Sequence, residues 1–285
     1  MQLKNNWFTE FHADRGTAFS LEINEKLHEE QSPYQKIEIY DTRQFGKLMV
    51  IDDCTMVSTR DNFFYHEMMS HPALYSHPAP KRVVIIGGGD CGTLQAVLQH
   101  EEVEQVWQID IDERVTRLSE KYFPELCTAN TDPRASLMFD DGIKWIQQAD
   151  PASVDVIIID STDPVGPAEG LFSGRFYKDC YQALAENGIL VQQSESPLLH
   201  MDIIKDMHTR MRSAGFSHSQ TLTFPQCIYP SGWWSCTLAG KHNTLDEIRI
   251  DDIQNRPFDT RYYNLEIHQA ALALPEFMKK ELHKS

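Results

Sequence analysis

From Lys81 onward the chain alternates short β-branched runs with stretches of helical length. "RVVIIGGGD", "CGTLQAVLQHE", "QVWQIDID", "ERVTRLSEKYF", "SLMFDD", "IKWIQQA" and "VDVIIID" follow one another with few residues between them. Strands that are apolar throughout are buried on both faces, and helices between them are the crossovers that parallel pairing requires. The pattern continues with "SGRFYKDCYQALAENG", read as a helix closed by Gly188, and "ILVQQSE", read as a strand. "MDIIKDMHTRMRSAG" reads as a helix closed by Gly215, and "WWSCTLAG" as a strand before one last helix. This regularity predicts an α/β fold built on a doubly wound parallel sheet.

The first 78 residues follow another rule. "AFSLEINEKLHEEQSPYQKIEIYDT", "KLMVIDD" and "TMVST" alternate with period two, and Gly16, Gly46 and Asp52-Asp53 are turn signals between them. "RDNFFYHEMMSHPALYSH" then reads as a helix that ends near Pro78-Ala79-Pro80. The expected division is a small N-terminal β-strand domain over 1–78 and an α/β domain over 79–285, which a chain of 285 residues can accommodate.

Composition narrows the partners. A formal net charge of −16 argues against nucleic acid or an anionic membrane and permits a cationic ligand. No apolar run reaches the length of a membrane span, and no signal peptide precedes the first charged residues. The six cysteines contain no CxxC pair, so reduced thiols in a cytoplasmic protein are expected.

The glycine loop gives the first chemical information. Gly87-x-Gly89-x-x-Gly92 follows an apolar strand and opens a helix, the context in which this fingerprint binds a nucleotide or nucleoside. Asp110 ends the next strand, where an acid receives ribose hydroxyls. Asp90, inside the loop, would repel a pyrophosphate and suits a cationic group, which points away from a dinucleotide and toward an adenosyl sulfonium. In "DDG", Asp141 before Gly142 can accept from an adenine amino group and can equally cap the helix that follows.

The fourth strand of this sheet runs into "VIIIDSTDPVGPAEGLF", where Asp160 is followed three residues later by Asp163 and then by Pro164, Gly166 and Pro167. A turn needs only one Asp, whereas two acids beside a Pro-Gly-Pro brace look like a positioned pair. Ligands of open α/β sheets bind at the carboxyl ends of strands, so Asp90, Asp110, Asp141, Asp160 and Asp163 are expected to face one crevice. A divalent metal is the rival explanation for five acids. It ranks lower because these acids come from four separate strand ends rather than from one loop.

"YHEMMSHPAL", "VVIIGGGDCGTL", "IDIDERV", "DDG", "DSTDPVGPAEGLF", "YPSG" and "YYNLEIHQAALALPEF" occur in the order seen in spermidine synthases, and the sequence resembles these polyamine aminopropyltransferases over nearly its whole length. The resemblance implies a Rossmann-like sheet of methyltransferase type with a small N-terminal β domain. It implies transfer of an aminopropyl group from decarboxylated S-adenosylmethionine, a co-substrate, to a diamine, usually putrescine, with no metal or bound cofactor. In this chemistry Asp160 is the general base, and Asp163 holds one end of the diamine. Tyr65 and His66 match positions that line the diamine and donor sites, and the Tyr65 hydroxyl is expected to share in catalysis by accepting from, or helping to deprotonate, the attacking amine. Tyr229 in "YPSG" matches a tyrosine of the diamine pocket, and Gln193 and Glu195 match pocket residues after the fifth strand. Gln35 matches a glutamine that contacts the donor, and Gly87, Gly89, Gly142 and Pro167 belong to the donor-binding motifs. A homodimer or homotetramer, joined through the N-terminal domain, is expected.

Several positions depart from the family pattern. Cys91 stands where glycine is common, Met56 where a glutamine often contacts the donor, and Asp110 where Glu is usual. Trp233-Trp234 replaces a smaller pair after "YPSG". Two other readings remain at this point: a methyltransferase using S-adenosylmethionine, against which Asp90 argues, and a non-catalytic polyamine or nucleoside binder, against which the Asp160–Asp163 pair argues. Cadaverine and agmatine are alternative acceptors.

Overall fold

The computed structural model describes residues 6–13, 15–163, 166–242 and 245–282, with only the backbone described for Gly166 and Pro167. Strands β1 (Trp7–His12), β2 (Thr17–Gln31), β3 (Lys36–Thr42), β4 (Gly46–Ile51) and β5 (Cys54–Ser58) form an antiparallel meander in chain order. The turn signals behave as the residue types require. Asp52 and Asp53 both take positive φ (47° and 66°) between Ile51 and Cys54, the two-residue hairpin geometry that matches strand twist. Strand β1 does not figure in the sequence reading; it pairs with the first half of β2, Trp7 opposite Glu22.

Helix α1 (Asn62–Ser76) follows and is buried along almost its whole length against the second sheet. Pro72 lies inside it. Proline has no N–H for the carbonyl of Met68, four residues back. The Cys236 thiol donates to that carbonyl instead, at 3.5 Å.

The second sheet has seven strands in the order β11-β12-β10-β9-β6-β7-β8. Strands β6 (Arg82–Gly87), β7 (Gln105–Asp110), β8 (Ala135–Phe139), β9 (Val154–Asp160) and β10 (Leu184–Gln193) run parallel. Strand β12 (Trp233–Gly240) is antiparallel between β10 and the edge strand β11 (His218–Pro225). Helices α2 (Gly92–Leu98), α3 (Glu113–Tyr122), α4 (Gly142–Gln148), α5 (Gly174–Ala183) and α6 (Met201–Ala214) join the strands. Two apolar layers cover the sheet, one under α1 and α2 and one under α4, α5 and α6, with Val83, Val84, Ile157 and Ile158 fully buried between them. The doubly wound α/β arrangement is therefore as expected, with an antiparallel pair added at one edge.

Three details differ from the sequence reading. Helix α5 stops at Ala183 and not at Gly188, because Leu184 turns extended (ψ 138°) and pairs with Val154 of β9. Strand β11 follows Gly215 with only two residues between and is absent from that reading. The C-terminal part holds three short helices where one is expected: α7 (Ile250–Gln254), α8 (Leu265–Ala271) and α9 (Glu276–Leu282). The carboxylate of Glu67 on α1 anchors this segment, accepting from the backbone N–H groups of Arg261, Tyr262 and Tyr263 at 2.7–2.9 Å.

The small sheet packs its Ile37, Ile39, Met49 and Val57 against Val115, Leu118 and Phe123 around α3. It thereby stands over the carboxyl ends of the parallel strands.

Candidate active site

Strand order reverses beside β6, and a crevice opens where β6 and β9 end side by side. Gly87 and Asp160 are partners in register, and Gly88 N–H donates to the Asp160 carbonyl at 2.8 Å. Gly87 has φ 84°, and a Cβ there would lie 2.1 Å from that carbonyl, so no other residue fits. Cys91 also takes left-handed backbone, φ 68°, which explains why glycine is common at its place in similar sequences. The third glycine of the fingerprint serves a different purpose. A Cβ on Gly92 would fall 2.1 Å from the His66 imidazole, so this glycine lets His66 of α1 lie against the loop.

His66 Nε2 is 3.0 Å from Asp90 Oδ2, and Asp90 Oδ1 accepts from Gly92 N–H at 2.8 Å. Burial works against a charge on His66, yet the Asp90 carboxylate outweighs it and raises the imidazole pKa. His66 therefore holds Asp90 from behind and does not itself line the crevice.

The crevice is a cleft of about 390 Å³, and all five acids expected there line it: Asp90, Asp110, Asp141, Asp160 and Asp163. Gln35, Gly87, Gly89 and Gly142 line it as well. Burial raises the Asp110 carboxyl to about 6 while its Oδ1 accepts from Asp112 N–H at 2.8 Å. Asp141 caps α4, accepting from Ile143 and Lys144 N–H at 2.8 and 3.3 Å, and still faces the cleft, so its two readings coexist. Ile86, Ile109, Ile111 and Ile143 supply apolar walls wide enough for a planar base. Among the described residues, no three His, Cys, Asp or Glu side chains are gathered to hold a metal ion.

Asp112 is one residue the sequence reading missed. It receives the Ser32 hydroxyl at 2.6 Å and Gln35 Nε2 at 3.0 Å, tying the β2–β3 turn to the start of α3. Gln35 thus reaches the cleft from a turn that α3 pins in place.

Asp160 sits at the cleft's inner end. Tyr65 Oη donates to its Oδ1 at 2.7 Å and Thr93 Oγ1 to its Oδ2 at 2.6 Å. Thr93 also escaped the sequence reading. Burial, and next the Asp90 charge, raise the Asp160 pKa, against the lowering effect of His66 and of the two hydroxyls. A carboxylate so placed can take a proton from a cation bound beside it.

Past Asp160 a smaller cavity of about 40 Å³ continues the cleft, sharing Cys54, Met56, Tyr65, Asp163 and Tyr229 with it. Gln193 and Trp234 belong to this inner cavity only. Tyr229 donates to the Met56 carbonyl at 2.6 Å, and its ring lies edge-on to Tyr65 at 5.8 Å and tilted against Trp234 at 4.8 Å. Glu10 of β1 also faces the cavity, accepting from Thr55 N–H and Oγ1 at 2.8 and 2.7 Å and pairing with His12 at 2.9 Å. Nothing in "WFTEFH" marks this Glu in advance. Trp233 lies outside, 6.1 Å from Phe277. Pro164 and the Pro167 side chain, expected to brace the Asp160–Asp163 loop, lie outside the described residues.

Residues 62–249 match the family model described as spermine/spermidine synthase domain, and residues 6–58 match one described as spermidine synthase tetramerisation domain. The chain is 64% identical over 284 residues to a polyamine aminopropyltransferase of Thioalkalivibrio sulfidiphilus, covering 99% of this chain and 100% of that one. It is also 64% identical, over 279 residues, to the polyamine aminopropyltransferase of Methylococcus capsulatus, covering 98% of each. Among solved structures it is similar to a spermidine synthase in complex with the transition-state analogue AdoDATO, with TM-score 0.95 and 33% identity over 100% of this chain and 97% of that one. A spermidine synthase from Thermotoga maritima gives TM-score 0.93 and 34% identity at the same coverage.

Proposed function

The chain belongs to the spermine/spermidine synthase family and is an aminopropyl-transferring enzyme, and from that premise we propose that it moves the aminopropyl group of decarboxylated S-adenosylmethionine to putrescine. The products are spermidine, methylthioadenosine and a proton. The observation that carries this reading is Asp160 in the large cleft, its Oδ2 held by Thr93 and its Oδ1 by Tyr65, a residue that lines both the cleft and the small inner cavity.

The donor occupies the large cleft. Asp110 receives the ribose hydroxyls, aided by Gln35 from the β2–β3 turn, while Asp141 and Gly142 face the adenine edge. Gly87 and Gly89 let the nucleoside approach the backbone. Asp90, backed by His66, takes the donor's primary ammonium. A methionine carboxylate in its place would meet a like charge, which favours the decarboxylated donor over S-adenosylmethionine and argues against a methyltransferase.

The diamine reaches from the inner cavity into the cleft, with its far ammonium among Glu10, Asp163 and Gln193 in the former and its attacking nitrogen between Asp160, Tyr65 and Tyr229 in the latter. Asp160 takes one proton from that nitrogen. The freed lone pair attacks the methylene next to sulfur, the carbon–sulfur bond breaks, and its electron pair neutralises the sulfonium. Holding nitrogen, carbon and sulfur in line supplies the rest of the acceleration. The reaction so written uses no metal or bound cofactor.

The tetramerisation-domain match over residues 6–58 supports self-association, and we propose a homodimer or homotetramer joined through the N-terminal sheet. No helix among the described residues is long and apolar enough to cross a membrane. Six free cysteines suit the reducing cytoplasm that we propose as its setting.

The test supplies purified protein with labelled decarboxylated S-adenosylmethionine and, separately, labelled S-adenosylmethionine, each with a panel of amines. Label transfer from the decarboxylated donor to putrescine is expected. Methyl transfer from S-adenosylmethionine, with none from the decarboxylated donor, would overturn the reading.

A further inference from the structure

We propose that Asp163 and Glu195 share one proton while the inner cavity is empty, and that the far ammonium of a diamine expels it, so that acceptor binding releases a proton. The inference rests on reading that cavity as the acceptor site.

Glu195 follows β10 and is only 1% exposed. Its backbone is left-handed, φ 67°, a conformation that a non-glycine residue keeps only where its surroundings hold it there. Two contacts enforce it: Glu195 N–H donates to Gln193 Oε1 at 3.1 Å, and Ser235 Oγ donates to the Glu195 carbonyl at 2.8 Å. The side chain so fixed faces Asp163 within hydrogen-bonding range. Two carboxyl groups at that separation in a buried place cannot both be ionised, and a proton between them turns repulsion into a hydrogen bond.

The surrounding charges set how firmly it is held. Glu10 and His12 approach from β1, Arg15 from the turn after it, and His200 and Asp202 from the start of α6; Cys54 and Tyr229 complete the surroundings. His200 Nδ1 stands 3.2 Å from Glu195 Oε2. Burial, then Glu195, push the Asp163 carboxyl up to about 8, while His200 and His12 pull the other way. At neutral pH the Asp163 carboxyl therefore keeps its proton and offers it to Glu195.

A diamine ammonium in the cavity brings its own N–H donors to Asp163, which lines it, with Glu195 buried behind. The Asp163 O–H bond breaks, the proton leaves to solvent, and the pair faces the ammonium with two charges. Below the shared pKa, binding must include this loss, so the apparent Kd rises about tenfold for each unit of falling pH. Above it, the dependence disappears.

Calorimetric titration of 1,4-diaminobutane into enzyme saturated with methylthioadenosine, in buffers of different ionisation enthalpy from pH 6 to 9, counts the protons. Wild type is expected to release about one near pH 7 and progressively fewer toward pH 9. In Glu195→Gln an amide donates to Asp163, so release near pH 7 vanishes and Kd becomes flat with pH. In His200→Gln the opposing charge is gone, and release persists to higher pH. A residue with only a structural role would weaken binding in both variants without moving these profiles; unchanged melting temperature and methylthioadenosine affinity check the fold. Equal proton counts in wild type and Glu195→Gln, or binding with no release, would overturn this inference alone. No diamine binding at all would overturn the acceptor reading along with it.

Discussion

The Tyr65 hydroxyl and the Asp160 carboxylate meet at 2.7 Å with the tyrosine as donor. Burial first, and then the Asp160 charge, hold the phenol well above its usual pKa, so Tyr65 keeps its proton and cannot accept another from an amine. That leaves Asp160, whose own affinity for a proton is raised, as the base in the proposed reaction. The two residues divide the labour: one accepts, and the other points the acceptor.

Asp160→Asn is expected to lower turnover by about a hundredfold or more, since the amide keeps the shape and loses the basic oxygen. Methylthioadenosine binding, measured by calorimetry, should change little. Retained turnover in a variant with a native circular dichroism spectrum would remove Asp160 as the base.

Tyr65→Phe is expected to cost less, about tenfold in kcat, and to leave a distinctive pH signature. The Tyr65 hydrogen bond lowers the Asp160 pKa, so its loss raises it. Activity falls when Asp160 is protonated, and the acid limb of the kcat/KM profile should therefore move to higher pH. A shift to lower pH, or none with kcat unchanged, would contradict the assignment.

Asp90→Asn addresses the donor. In wild type the decarboxylated donor should bind about tenfold to a hundredfold more tightly than S-adenosylmethionine, whose carboxylate faces Asp90. The asparagine should narrow that gap. Equal wild-type affinities would instead favour methyl transfer.

Much of this site was legible because strand ends are. Asp110 and Asp160 terminate apolar runs, and in a parallel sheet such ends meet at one edge, so their convergence follows from periodicity alone. Where the structure departs from the sequence reading, the cause is a contact distant in sequence. "LAENG" contains good helix formers, and its strand conformation is decided by Leu184 pairing with β9, a contact 30 residues distant in sequence. Glu10 and Thr93 could not be found because nothing in their neighbours distinguishes them; one faces the inner cavity through β1, and the other reaches Asp160 from the first turn of α2. His66 shows the reverse. It was expected among the ligands, yet the missing side chain of Gly92 lets it pack under the loop, where it charges the back of Asp90.

Gly92→Ala tests that packing. A methyl 2.1 Å from the imidazole must displace His66 or the loop, at a cost of about 1–3 kcal/mol in stability. Adding His66→Ala should restore part of the loss, a coupling that a double-mutant cycle of melting temperatures can measure. Simple additivity would separate the glycine from the histidine.

If a tryptophan limits the acceptor's length, the structure shows which of the two is placed to do it. Strand β12 has period two, so adjacent residues face opposite ways. Trp234 is 3% exposed, packs tilted against Tyr229 and lines the inner cavity, whereas Trp233 faces Phe277 outside it. With an indole as its wall, the inner cavity holds about 40 Å³, room for one ammonium end of an acceptor and a methylene or so. A short diamine can then seat one end there and reach back to Asp160 in the cleft, whereas a triamine has too little room beyond Asp163. Putrescine should be the best acceptor, cadaverine a weaker one, and agmatine and spermidine poor. Trp234→Ile opens the wall, and the specificity constants for cadaverine and spermidine should rise relative to putrescine by about tenfold, the worth of a methylene or two of apolar contact. Trp233→Gln should leave the ranking unchanged. Spermidine as the best wild-type acceptor would overturn the assignment to spermidine formation, and an unaltered ranking in Trp234→Ile would take the indole out of acceptor choice.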